Sequence, residues 1–560
     1  MKYWAFLLSA FLLLSCNKKD PIAPPPTADT QTLRTVAEGS IIGFSTDNGA
    51  NVWRAIPYAD DTSGDNRWRA PRPAPKRNET LNALEFGPVC PQIATPFTPV
   101  PGFTNGELEG SENCLTFDIY APSNAVGKDL PVMMWIHGGG NVFGTSQLYQ
   151  AHNLVVNENV IVLAVQYRLG PLGWFSHPAL RSSAVSEADT AANFALLDQI
   201  SALNWIQDNV ATFGGDPNNV TIFGESAGGH NVAALLASPL ARGLFHKAII
   251  QSGFFDSVSR EDAENGELLN PANSVASKLG IDKFHTATTQ EIFDAYDLTP
   301  DGYMELPRVI EDGVTIASEP LLDRFKDRKN YANVPIITGT NRDEMKMFFL
   351  TNPDLTKKRG PLYTAKNQDL YDAASDYSAR NWRLAAVDYP IALMNESGHE
   401  PVYAYRFDWD EGGKFLTMDL SKMLGAAHAL EIPFVFNRFI FLGDADRIMY
   451  QAKTEDSRQE LSRAMGAYWA NFARNGRPSA ASETQWRPYH SDGAVLHFDA
   501  RNDRGIRIEI GGDTGAAIIT DMARDTRIDD PERCRILDGL SQLTDAEKAR
   551  AEQRFNCSGN

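Results

Sequence analysis

The sequence predicts an α/β fold: a large, mostly parallel central sheet covered by helices on both faces. Three observations predict it. Short, almost wholly apolar runs end in polar or glycine-rich turns, helix-period stretches lie between them, and the connections are long enough to bring each strand back in parallel. The chain has 560 residues, 43% of them hydrophobic and 22% charged, which excludes a wholly disordered or collagen-like protein. At roughly 150 residues per domain the length would allow several domains. Residues 34–560 nonetheless read as one, because no internal repeat and no second linker interrupts them. The 52 Lys and Arg against 71 Asp and Glu leave a net charge of -19, a field that repels phosphate backbones and anionic lipid and argues against a nucleic-acid partner.

Taken in order, the first element is for export. Trp4 to Leu14 is an apolar run of eleven residues behind Lys2, too short for a spanning helix of about 20 and right for a signal-peptide core. It ends Leu13-Leu14-Ser15-Cys16, which resembles the cleavage box of bacterial lipoproteins: residues 1–15 are expected to be removed and Cys16 to be acylated. An ordinary signal cut slightly later is the alternative. Residues 16–33, with Pro21 and Pro24-Pro25-Pro26 among Thr, Asp and Ala, are expected to form a flexible tether. The protein is therefore expected at the bacterial cell envelope, held to the membrane only through Cys16. The alternative is a secreted or periplasmic soluble form.

Strand-like runs follow at Pro131 to Ile136, Val160 to Val165, Val220 to Phe223, Ala248 to Ile250, Val334 to Ile337 and Val402 to Phe407, and are expected to be buried and parallel. Ala191 to Asn209, with Phe194, Leu197, Ile200, Leu203 and Trp205 on a helical period, and the Ala-rich run Gly229 to Ala237 are expected helices.

Between the strand at Val220 and that second helix stands Gly224-Glu225-Ser226-Ala227-Gly228. A strand, a turn so tight that glycine must flank the serine, and a helix make a nucleophile elbow, which leaves the Ser226 hydroxyl proud at the carboxyl edge of the sheet. A weak hydroxyl needs a base and a place for the developing oxyanion. His137-Gly138-Gly139-Gly140 follows directly on the strand ending at Ile136, so the amides of Gly139 and Gly140 are expected to join that of Ala227 in a three-donor hole. No metal or cofactor is expected.

Apart from Cys16 the chain has Cys90, Cys114, Cys534 and Cys557, an even count in an exported protein, which favours two disulfides. Three pairings are possible. The local one closes two short loops, each worth about 3 kcal/mol. A zinc site is the other reading, though no C-x-x-C or paired-histidine spacing accompanies these cysteines.

With these stretches in hand the chain resembles the type-B carboxylesterases, the cholinesterase-like branch of the α/β-hydrolases, over nearly all of residues 36 to 500. The matching stretches are Arg54-Ala-Ile-Pro-Tyr-Ala59, Glu112-Asn-Cys-Leu-Thr-Phe-Asp-Ile119, Trp135-Ile-His-Gly-Gly-Gly140, Tyr167-Arg-Leu-Gly170, Phe213-Gly-Gly-Asp-Pro217, Gly224-Glu-Ser-Ala-Gly-Gly229 and Trp469-Ala-Asn-Phe-Ala-Arg474. The resemblance implies the α/β-hydrolase fold and a serine hydrolase acting on a small-molecule carboxylic ester, with an amidase or lipase on the same triad as the near alternative. A non-catalytic adhesion module on the same scaffold is the distant one. The family's order of serine, acid and histidine places the acid in Gly339-Thr-Asn-Arg-Asp-Glu344, which implies Glu344 with Asp343 as runner-up, and the base at His428 in Gly425-Ala-Ala-His-Ala-Leu-Glu-Ile-Pro433. Met345 and Ala429 stand where the family usually has glycine. The resemblance further implies that Glu225 lies near the histidine, that His137 supports the oxyanion loop, and that Cys90 pairs with Cys114. The loop so closed contains Phe97 and Phe103 but no Trp, which argues against a choline-ester hydrolase.

Overall fold

Strands that are apolar at every position have to be covered on both faces, and they are. The computed structural model describes residues 25–557 apart from 97–99, 101, 300–303, 307–308, 361, 400, 482 and 491. The expected signal peptide, Cys16 and Phe97 lie outside the described residues. Eleven strands build the central sheet. In chain order they are β1 (Phe44–Ser45), β2 (Ala50–Pro57), β3 (Thr116–Pro122), β4 (Leu130–Ile136), β5 (Ile161–Val165), β6 (Gly215–Glu225), β7 (Lys247–Gln251), β8 (Ile336–Asn341), β9 (Val402–Phe407), β10 (Ala494–Phe498) and β11 (Arg507–Ile510). Across the sheet the order is β11-β10-β9-β8-β7-β6-β4-β5-β3-β2-β1. Pairing is parallel from β10 through to β5 and antiparallel at both edges.

Every residue of β4 is buried. Alternation sends Met133 and Trp135 into the apolar layer on one face and Val132, Met134 and Ile136 into the layer on the other. The helices that supply those layers include α1 (Phe194–Asn209), α2 (Ala227–Ala237), α3 (Gln368–Arg383) and α4 (Glu455–Asn475).

The chain runs from β4 to β5 on one side and then crosses to β6 on the other side of β4. The direction of winding therefore switches between β4 and β6, and in open α/β sheets the crevice at the carboxyl ends of such strands is where ligands bind. The loop after β4 begins at His137 and the loop after β6 at Ser226, so both expected catalytic loops open into this crevice.

Two expected boundaries move. The first helix begins at Phe194, not Ala191, because the Asn193 side chain is engaged with the Ile310 carbonyl at 2.7 Å and Thr315 Oγ1 at 2.7 Å and the preceding residues form a separate 3-10 turn. The folded domain begins before residue 34: Asp29 caps a short turn, Thr32 is fully buried, and Trp53 Nε1 donates to the Thr32 carbonyl at 2.8 Å. The Thr and Asp residues that read as tether composition serve here as caps and hydrogen-bond partners.

Candidate active site

The elbow forms because two glycines let three backbone segments meet. A Cβ on Gly228 would stand 2.0 Å from the Ile136 carbonyl oxygen, and one on Gly224 would stand 2.6 Å from it, so both are required by close approach. Between them Ser226 takes φ 56° and ψ -123°, a strained conformation for a residue with a side chain. Its amide donates to the Gln251 carbonyl at 2.8 Å, and α2 starts at the next residue, Ala227, not at Gly229 as expected.

The register Gly224↔Ile136 sets the loop expected to hold the oxyanion directly against the elbow. A Cβ on Gly138 would meet Ser226 Cβ at 3.1 Å and the Glu225 carboxylate at 2.8 Å. Gly139 and Gly140 have φ of 100° and 62°, and among the described residues their amides donate to no backbone carbonyl. The amide of Ala227, first in its helix, has no intrahelical acceptor. His137 props the loop from below. It is fully buried, bonds the Gly138 carbonyl through Nδ1 at 2.9 Å, lies against Tyr167 at 4.5 Å, and is held neutral by burial, which pulls it down to about 4.

Glu344 follows β8 and is fully buried. Its Oε2 lies 2.6 Å from His428 Nδ1, while its Oε1 accepts from Ser252 Oγ at 2.6 Å and from the Asn341 amide at 2.7 Å. Asp343 faces elsewhere. It pairs with Arg342 at 2.7 Å and Lys346 at 3.2 Å and accepts from the Ala426 amide at 3.0 Å, which together hold its carboxyl below the usual range against its burial. Met345 has φ -77°, so this loop needs no glycine there. Ala429 keeps the turn that glycine usually makes, at φ 68°.

The other nitrogen of His428, Nε2, stands 3.0 Å from Glu225 Oε1. Among the described residues no hydrogen bond joins it to the Ser226 hydroxyl. Burial pushes the Glu225 carboxyl up, to about 8, with the nearby Glu431 and Glu344 adding to that. Burial pulls His428 the other way, but the charges of Glu225 and Glu344 prevail and raise it to about 9.

Several residues around His428 escaped the sequence reading. Glu431, three residues on, is fully buried and accepts from Asn341 Nδ2 at 2.7 Å and Gln251 Nε2 at 3.0 Å, and Gln251 in turn accepts from Trp469 Nε1 at 3.0 Å. Trp382, at the end of α3, lies 4.9 Å from the His428 ring and Phe348 lies 5.3 Å from it, with Phe254 against Trp382 at 4.6 Å. The histidine was in a motif that could have drawn attention to Glu431; no local pattern marks the aromatic residues.

Cys90–Cys114 and Cys534–Cys557 are disulfides, the local pairing. The first closes the loop that holds Gln92, whose side chain brackets Gly144 at the end of the oxyanion loop. Among the described residues no group of three or more His, Cys, Asp or Glu side chains could hold a metal ion.

Known proteins share this arrangement of chain. Para-nitrobenzyl esterase of Bacillus subtilis is 33% identical over 494 residues, 83% of this chain and 94% of that protein. Liver carboxylesterase of Sus scrofa is 30% identical over 547 residues, 87% of this chain and 92% of its own. Among solved structures, a thermophilic PNB esterase superposes with a TM-score of 0.69 at 30% identity, covering 87% of this chain and 99% of that one, and a carboxylesterase of Geobacillus stearothermophilus with 0.67 at 26% identity, covering 86% and 98%. The fold is that of the α/β-hydrolases. Residues 29–389 and 362–509 match the carboxylesterase family, so the chain belongs to that family and is a carboxylic ester hydrolase.

Proposed function

We propose that the enzyme cleaves small carboxylic esters through an acyl-enzyme on Ser226, with His428 as general base and acid and Glu344 orienting it. The observation that carries this is the 2.6 Å contact between His428 Nδ1 and the buried Glu344, beside a serine held strained on the elbow. Ser226 Oγ attacks the carbonyl carbon as its proton passes to His428 Nε2. The carbonyl electron pair moves onto oxygen, where the amides of Gly139, Gly140 and Ala227 receive it. Collapse restores the carbonyl and expels the alcohol, which takes the proton from Nε2. Water then attacks the acyl carbon with His428 as base, and Ser226 leaves with its proton. Glu344 keeps the Nδ1 proton in place and stabilises the imidazolium.

Trp382, Phe348 and Phe254 present half-buried rings around His428, which suits apolar groups on the ester. Ser226→Ala and Glu344→Gln should each lower ester turnover by several orders of magnitude in folded protein. Full activity in either variant overturns the assignment.

We further propose that the enzyme is lipid-anchored at Cys16 outside the cytoplasm, supported by the apolar run before that residue and the proline-rich stretch after it. Native protein should fractionate with membranes and Cys16→Ser should not. A native N-terminus beyond Cys16 without lipid mass contradicts the anchor.

A further inference from the structure

Residues beyond the family match, which ends at 509, fold into α5 (Gly515–Arg524), α6 (Asp530–Asp538) and α7 (Asp545–Arg554). Each begins with a side-chain cap, at Thr514, Asp529 and Thr544. Ile518, Met522 and Leu537 are fully buried, and the Cys534–Cys557 disulfide ties α6 to the end of α7.

These helices lean on α3. Arg380 grips Asp513 through two parallel bonds of 2.7 and 3.0 Å and reaches Asp521 on α5 at 2.9 Å. Tyr377 donates to Asp525 at 2.8 Å, Arg527 pairs with Asp376 at 3.2 Å, and the Gln542 amide donates to Asn381 at 2.9 Å. Residues 376, 377, 380 and 381 form one stripe of α3, because neighbours three and four apart share a face.

Trp382 leaves the same turn in the other direction. Its ring packs on His428, and its Nε1 donates to the Ser252 carbonyl at 3.2 Å, while Ser252 Oγ holds Glu344. Directly after Arg383 the helix widens into a π turn over Leu384–Asp388, the kind of local irregularity that recurs at functional sites. A single turn of helix therefore connects the C-terminal helices to both the proposed base and the prop of the proposed acid.

We infer that the C-terminal helices are a positioning element for the catalytic histidine, acting through α3, with Arg380 as the residue that holds Trp382 against His428. The inference rests on the acyl-enzyme reading above. Arg380 touches no reacting atom, so its effect has to pass through Trp382.

That requirement gives the test, made on the full-length mature protein with a p-nitrophenyl ester. Arg380→Gln should lower kcat by about tenfold or more with KM little changed, since misplacing a catalytic group costs rate more than binding. Trp382→Ala should lower kcat as well, and adding Arg380→Gln to it should lower kcat no further, because the two act on one path. Should Arg380→Gln not fold, Asp513→Asn removes the two-pronged bond and replaces it in the same cycle. Unchanged kcat in the folded single variant, or independent and multiplying losses in the double variant, overturns the inference. Retained turnover in Ser226→Ala would instead overturn the reading beneath it.

Discussion

At the scale of residues, His428 lies between two carboxylates, Glu344 at Nδ1 and Glu225 at Nε2. A base is useful only when neutral, and both charges favour its protonated form. Glu225→Gln removes the largest single charge effect that raises His428, so it should lower the folded-state value of His428 from about 9 and move the rising limb of kcat/KM to lower pH. A rising limb that stays in place contradicts this account of Glu225. Ser226, Glu344, His428, Gly139 and Gly140 could be singled out in the sequence because each sits in a short motif whose backbone geometry is local, and the contact between His428 and Glu344 is one the structure makes. Ser252 and Trp382 were not, because they meet the site only through strand order and a distant helix, and Phe348, four residues after Glu344, stands in no motif that marks it.

At the scale of elements, β4 and β6 act as one unit. Gly228 is needed because the elbow presses on the last carbonyl of β4, and the same contact sets the glycine loop after β4 beside Ser226. Gly228→Ala puts a methyl 2.0 Å from backbone oxygen, which no side-chain movement can relieve. The variant should lose at least about 1–3 kcal/mol in urea unfolding, the ordinary cost of overpacking, and most of its turnover. Parental stability with parental rate would show that the elbow and loop are not rigidly joined. Six of the eleven sheet strands, β4 to β9, and the helices α1 and α2 were readable from their apolar pattern to within about five residues. Boundaries moved where a side chain found a distant partner, as the Asn193 amide did with the Ile310 carbonyl and the Trp53 indole with the Thr32 carbonyl.

At the scale of the whole molecule, the parallel sheet and its helical cover were legible because strands buried on both faces leave an unmistakable apolar pattern. Sheet order was not, since β3 and β2 extend the sheet antiparallel beyond β5 and their sequences alternate less clearly. Order is what matters for the site: the switch of winding between β4 and β6 opens the crevice into which Ser226, the oxyanion loop and, from β8, Glu344 all face. The central claim is that this crevice builds a covalent acyl-enzyme on one serine. It is tested most directly by rapid-quench mass spectrometry of the protein mixed with p-nitrophenyl butyrate. The account predicts a transient gain of one butyryl group, on the peptide that carries Ser226, forming with the burst of p-nitrophenol and decaying at the steady-state rate. Turnover with no acylated chain, or with the acyl group on another residue, would contradict it.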